Sequence, residues 1–159
     1  MDQKRFSWWL RVMIVCLGLI GAVLYFLVLP FSGNYLADAY PEFAYAFWPW
    51  LVFLWLTGIP CYLVLVFGWK IAVSIGKDHS FSYANADRLK KIVYLIAGDT
   101  IFFALGNMVF CVWNLNPVWM VLFSALLIFM GILISVIAAA LSHLVRKAAN
   151  LQEQSDWTI

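Results

Sequence analysis

Residues 118–142 read VWMVLFSALLIFMGILISVIAAALS, twenty-five consecutive positions without a charge. A helix rises 1.5 Å per residue, so about 20 apolar residues cross the roughly 30 Å hydrocarbon core of a bilayer. This run is too long and too uniformly apolar for a helix of a water-soluble protein. Three further runs match it: 6–29, whose one charge is Arg11, then 47–69, and 92–113, whose one charge is Asp99. The runs 92–113 and 118–142 are joined by only four residues, 114–117. A turn that short makes neighbours antiparallel. The expected fold is therefore all-α: an integral membrane four-helix bundle, up-down-up-down, occupying 1–159 as one membrane domain with a tail at 143–159.

The composition agrees. Of 159 residues, 65% are hydrophobic, 18% aromatic and only 11% charged, with a mean hydropathy of +0.92. Such a chain has no polar surface with which to be a soluble globule. The segments between the runs are too short to hide a soluble domain. Lys4 and Arg5 before the first run suggest a signal peptide, but the run is long and is followed by Leu-Pro-Phe-Ser-Gly instead of a small-residue cleavage site. It is expected to stay as a true span. Cys16, Cys61 and Cys111 sit singly in separate runs, without metal or redox spacing, and read as small apolar packing residues.

Charge sets the expected orientation. All ten Lys and Arg lie at one end of the runs: Lys4, Arg5 and Arg11; five between Lys70 and Lys91; then Arg146 and Lys147. Segments 30–46 and 114–117 have none, and the first carries Asp38 and Glu42 instead. By the positive-inside rule both termini and the second connection are cytoplasmic. Tyr35, Tyr40, Phe43, Tyr45, Trp48 and Trp50 cluster at the other end, where aromatic belts lie at headgroup level; a belt explains them before a ligand platform does.

Polar residues within the runs are the candidate functional groups. An ionised Asp99 in hydrocarbon costs several kcal/mol unless paired. Arg11, at a similar count into its own run, is the expected partner, and the bridge would staple the first and third spans. The other use of Asp99 is proton or ion coupling with His143 or water as relay. Asn107, two turns past Asp99, suits an interhelical hydrogen bond. Gly131, Ser135, Ala139 and His143 recur every fourth residue, a small-residue stripe that lets a neighbour approach. Thr57-Gly-Ile-Pro60 is expected to kink the second span. Ser82 is placed to cap a helix that begins before the third apolar run and carries Asp87, Arg88, Lys90 and Lys91, either as a headgroup anchor or as a docking surface.

Two segments resemble a known family. The stretch Phe81-Ser82-Tyr-Ala-Asn85-Ala-Asp-Arg88-Leu89-Lys90-Lys91-Ile92 is similar to the F-S-x-x-N-x-x-R-L-k-x-I beginning of span three in the bacterial domain-of-unknown-function family 2975. The ending Leu151-Gln-Glu153-Gln-Ser-Asp156-Trp157-Thr158-Ile159 is similar to its L-x-E-x-D-L-T-I tail, with Trp157 in place of Leu. The resemblance implies a small multi-pass protein of the bacterial cytoplasmic (inner) membrane with no established activity. It also implies, by gene proximity alone, a link to a small helix-turn-helix regulator.

These residues are compatible with functions of three classes. The leading expectation is a non-enzymatic sensor or tether for a cytoplasmic helix-turn-helix regulator, docked through Arg88, Lys90 and Lys91 and through Leu151, Glu153, Asp156, Trp157 and Ile159. The tail could equally fold back onto Arg88, Lys90 or Lys91. The alternative is a small proton- or ion-coupled transporter or channel component using Asp99, which would have to be a homodimer. An enzyme is disfavoured, because two histidines and three isolated thiols offer too few converging groups. No cofactor, metal or direct nucleic-acid contact is expected, and the bilayer is the evident partner.

Overall fold

The computed structural model describes residues 3–77 and 79–156, the last of these by its backbone alone. Its elements are α1 (Gln3–Val23), a π-helical turn (Leu24–Val28), α2 (Leu29–Ala39), a 3-10 turn (Pro41–Ala46), α3 (Phe47–Ile75), α4 (Tyr83–Val112) and α5 (Val118–Asp156). Four helical units are long and apolar enough to cross a membrane: Gln3–Ala39, Pro41–Ile75, Tyr83–Val112 and Val118–Ser155.

Side-chain pairings fix their directions. Ser7 meets Ala72, Gly18 meets Tyr62 and Tyr25 meets Trp55, so the partner number falls as the first rises. Between α3 and α4, Cys61 meets Asp99 and Lys70 meets Arg88. Between α4 and α5, Ala86 meets Ser142 and Tyr83 meets Glu153. Every adjacent pair is antiparallel, giving the up-down-up-down order that the short connections predict.

The helices stand in a row. The backbone of α1 approaches that of α3, α3 approaches α4, and α4 approaches α5; non-neighbouring long helices do not come within 8 Å among the described residues. Helix α4 thus has packed neighbours on two sides, whereas α1 and α5 each keep an apolar outer face. Leu19 of α1, Phe26 and Leu27 of the π turn that continues it, and Leu122, Phe129 and Val136 of α5 are all exposed. In water that would be untenable, but lipid tails are as apolar as leucine and satisfy such faces.

The seams follow small residues. On α5, with Met120 and Ala148 half-buried beside them, the covered positions include Ser124, Ile128, Gly131, Ser135, Ala138, Ser142, Val145 and Ala149. They alternate in steps of four and three, the period of left-handed helix pairs. This corrects the expected stripe: Gly131 and Ser135 belong to the seam, but Ala139 and His143 are exposed. Each four-residue step advances 400°, so a strict four-residue repeat drifts off the contact by about 40° per step. A Cβ on Gly131 would collide with the Thr100 hydroxyl.

The first span is longer than its apolar run suggests. Helix continues through Pro30 to Ala39, where a loop was expected to begin. The π turn makes this possible, since its bonding runs five residues back, as from the Leu29 N–H to the Leu24 carbonyl. In that register the next acceptor is the Tyr25 carbonyl, and Pro30 has no N–H to give it. The Trp55 indole donates to that oxygen instead, at 2.9 Å. Helix α3 likewise runs unbroken across Pro60.

Both ends of the row are closed by specific contacts. At the end carrying the acidic residues, Trp50, Phe53, Phe110, Leu115 and Ala46 form a buried aromatic cluster, with the Trp50 ring 4.9 Å from that of Phe110. The Trp50 indole donates to Asn116 Oδ1 at 3.0 Å. Trp50 is therefore core, whereas Trp48, two residues earlier, is exposed as a belt residue. Asn114 takes the left-handed conformation (φ 55°) that turns the chain from α4 toward α5, and the Tyr45 hydroxyl donates to its carbonyl at 3.0 Å.

Candidate functional site

The basic end is built around the segment that resembles a family motif. The Ser82 side chain accepts from the backbone N–H of Asn85 at 3.3 Å and so caps α4. Asn85, 1% exposed, donates its amide to the carbonyls of His79 and Ser80 at 3.0 and 3.1 Å. Its Oδ1 accepts from Arg88 at 2.9 Å, and the same guanidinium nitrogen reaches the Lys70 carbonyl at 3.3 Å. Ser82, Asn85 and Arg88 thus form a clamp that holds the α3–α4 connection against the end of α3. Spacing explains the set: three residues on a helix return to one face. Arg88 is half-buried and braces this connection from its side of the helix.

Lys70 and Lys91 place their ammonium groups 5.5 and 5.7 Å from the Phe67 ring centroid, and Lys90 lies 5.8 Å from that of Tyr94. Tyr83 donates to Asn150 and, at 3.0 Å, to Glu153 Oε2. The tail is thus helix through Asp156, laid along the start of α4. Among the described residues, Glu153 meets Tyr83 and not Arg88, Lys90 or Lys91. Leu151 is exposed on this extension, while the side chain of Asp156 and the whole of Trp157 and Ile159 lie outside the described residues.

A second polar cluster sits mid-span. Asp99 Oδ2 faces the Cys61 thiol at 3.9 Å, and Oδ1 is buried without a hydrogen-bond partner. Tyr25 from the π turn lies beside Thr57 and Cys61. These companions were missed in the sequence, because nothing there says that residue 25 of one helix faces 57 and 61 of another. A signal did exist: Tyr25, Thr57 and Cys61 are the polarizable or polar side chains at the depth of Asp99.

Asp99 and Arg11 do not meet. Asp99 is sixteen residues into α4 (99 − 83) and Arg11 only eight into α1 (11 − 3), so they sit at different depths. Helices α1 and α4 are, moreover, not neighbours. Arg11 instead donates to the Ser7 hydroxyl at 2.9 Å; Ser7, fully buried, donates to the Ala72 carbonyl at 2.7 Å. Gly76 is needed beside them, since a Cβ there would lie 2.6 Å from Ser7 Oγ. His143 is exposed on α5, twelve residues beyond Gly131, which packs on the residue after Asp99. That is roughly 18 Å along the helix, too far for a relay. Asn107 bonds within its own helix, to the Phe103 carbonyl at 2.9 Å, and accepts from Asn116 at 3.4 Å, so it secures the α4–α5 turn. No group of three or more metal-ligating side chains occurs among the described residues.

The family described as Protein of unknown function (DUF2975) matches residues 31–159, which include both the clamp and the tail. The chain belongs to that family. A similar relative is the uncharacterized membrane protein YoaS of Bacillus subtilis (strain 168), 28% identical over 152 residues, which are 94% of this chain and 95% of that protein. No solved structure is significantly similar. In this chain the clamp gives Ser82, Asn85 and Arg88 a physical role: they are the capping and bracing set of the α3–α4 connection.

Proposed function

We propose that this protein is a non-enzymatic tether or sensor in the bacterial cytoplasmic membrane, whose basic end docks a cytoplasmic helix-turn-helix regulator. The observation that supports this reading is the extension of α5 beyond its apolar run. Ser142 already bonds the Ala86 carbonyl, and the helix continues fourteen residues further (156 − 142), tied back to the start of α4 by the Tyr83 hydroxyl. That carries α5 about 20 Å past this contact and well beyond the first residue of α4, Tyr83, which is farther than a simple anchor needs. Val145 and Ala149 are buried, while Arg146, Lys147, Leu151 and Glu153 are exposed. Exposed charge flanking an apolar side chain is the chemistry of a helix that offers one face to a partner.

The test is affinity purification of the tagged chain from its native membrane in mild detergent, comparing the full chain with one ending at Asn150. The expected outcome is a small DNA-binding protein retained by the first and lost from the second, with the shortened chain still folded. Equal retention by both chains would remove the extension from the account.

A second reading, movement of protons or ions through Asp99, draws on the buried and unpartnered Oδ1. Intramembrane carboxylates mark such paths. It predicts a pH-gradient-driven flux in proteoliposomes that Asp99→Asn abolishes while the helical content stays unchanged. Wild-type vesicles without flux would end it.

A further inference from the structure

The acidic end contains a cavity of about 400 Å³ between α2, the 3-10 turn, the first turns of α3 and the α4–α5 turn. Its size is that of a small-molecule site. The walls are apolar and rich in aromatic rings, among them Tyr40, Phe43, Trp50 and Trp119. Gly33 on α2 lets the Phe47 ring close against the backbone and form part of the wall, 2.6 Å from where a Cβ would stand.

One charged side chain lines this cavity, that of Glu42, and it is exposed. No Lys or Arg occurs between Arg11 and Lys70 or between Lys91 and Arg146, so all ten cationic side chains lie toward the opposite end. Glu42 has no cation of this chain with which to pair. A carboxylate at an aromatic cavity, with no basic residue near, is complementary to one kind of ligand. Aromatic faces attract cations through their quadrupoles, most strongly where water is partly excluded, and the carboxylate adds a full charge. A metal ion would need a cage of oxygens, which these walls lack.

We propose that this cavity binds a small lipophilic organic cation, an ammonium or quaternary ammonium group on a hydrophobic body, with Glu42 as counter-charge and the rings as cage. The site stands independently of the regulator reading, since it is at the other end of the molecule and shares no residue with the clamp.

The probe is benzyltrimethylammonium, with neopentylbenzene as its neutral isostere. Binding is measured by titration calorimetry to the full chain in nanodiscs of zwitterionic lipid, with heats from empty nanodiscs subtracted. The cation is expected to bind more tightly than the isostere. Glu42→Gln, a change at an exposed position that leaves packing intact, is expected to weaken the cation about fivefold and the isostere not at all. Trp119→Leu is expected to weaken the cation more than the isostere. Absence of cation binding to the wild-type chain overturns the proposal. So does equal affinity for cation and isostere with no effect of Glu42→Gln, which would make the cavity a site for an apolar lipid chain.

Discussion

A proline near the end of a membrane helix leaves a carbonyl with no donor, and hydrocarbon offers no water to replace it. Pro30 creates that problem at Tyr25, and the Trp55 indole of the adjacent helix resolves it at 2.9 Å. Trp55 is then worth more as a hydrogen-bond donor than as apolar area. Trp55→Phe is expected to lower stability by about 1 kcal/mol, the usual size of an interhelical hydrogen bond in a membrane. In a Pro30→Ala background, residue 30 can donate to Tyr25 itself, so the same substitution should cost less than half as much. Unfolding in mixed detergent micelles, run as a double-mutant cycle, measures both. Equal costs in the two backgrounds would refute the pairing.

At the scale of the helices, two glycine- and alanine-lined positions that look equivalent in the sequence are not equivalent in space. Gly131 and Ala139 both belong to a four-residue repeat, but only Gly131 faces α4, where a side chain would strike Thr100. Gly131→Leu is expected to destabilise the α4–α5 pair by roughly 2 kcal/mol through overpacking. Ala139→Leu should change stability by less than about 0.5 kcal/mol. Thermal unfolding of the two variants in one detergent distinguishes them, and a reversed order would restore the four-residue stripe as the seam. The comparison also shows what was legible beforehand. Four apolar runs, their antiparallel order and the Ser82 cap follow from length, charge and local bonding, all of which are written along the chain. The seam depends on whether the period is nearer 3.5 or 4, a difference that a few small residues do not reveal. Arg11 was matched to Asp99 by counting from the edges of apolar runs. Helix α4 starts well before its run does, so the count misplaced Asp99 in depth. The clamp residues were visible as a motif, but their bracing contacts required the position of the Lys70 carbonyl.

At the scale of the whole molecule, the order of helices in the row decides what the membrane sees. A closed bundle of four would bring α1 against α5 or α4, and its polar interior would be shielded from lipid. In the row, α1 touches the rest of the molecule through α3 and its own continuation into α2, and the outer faces of α1 and α5 are left to lipid or to a second copy. Cysteine cross-linking separates these arrangements, using chains whose three native cysteines are replaced by alanine. Ile14→Cys with Gly68→Cys, bridged by a short bifunctional thiol reagent, should cross-link within one chain, because the Ile14 terminal methyl lies 3.7 Å from the Cβ position of Gly68. Leu17→Cys with Leu133→Cys joins two outward residues on helices that are not neighbours, so no intrachain product is expected. If the outer faces associate, the second pair yields a dimer band instead, and the two ends of the row become one interface. An intrachain product from Leu17 and Leu133 would mean that the row closes on itself in the membrane, and would place α1 within reach of α5.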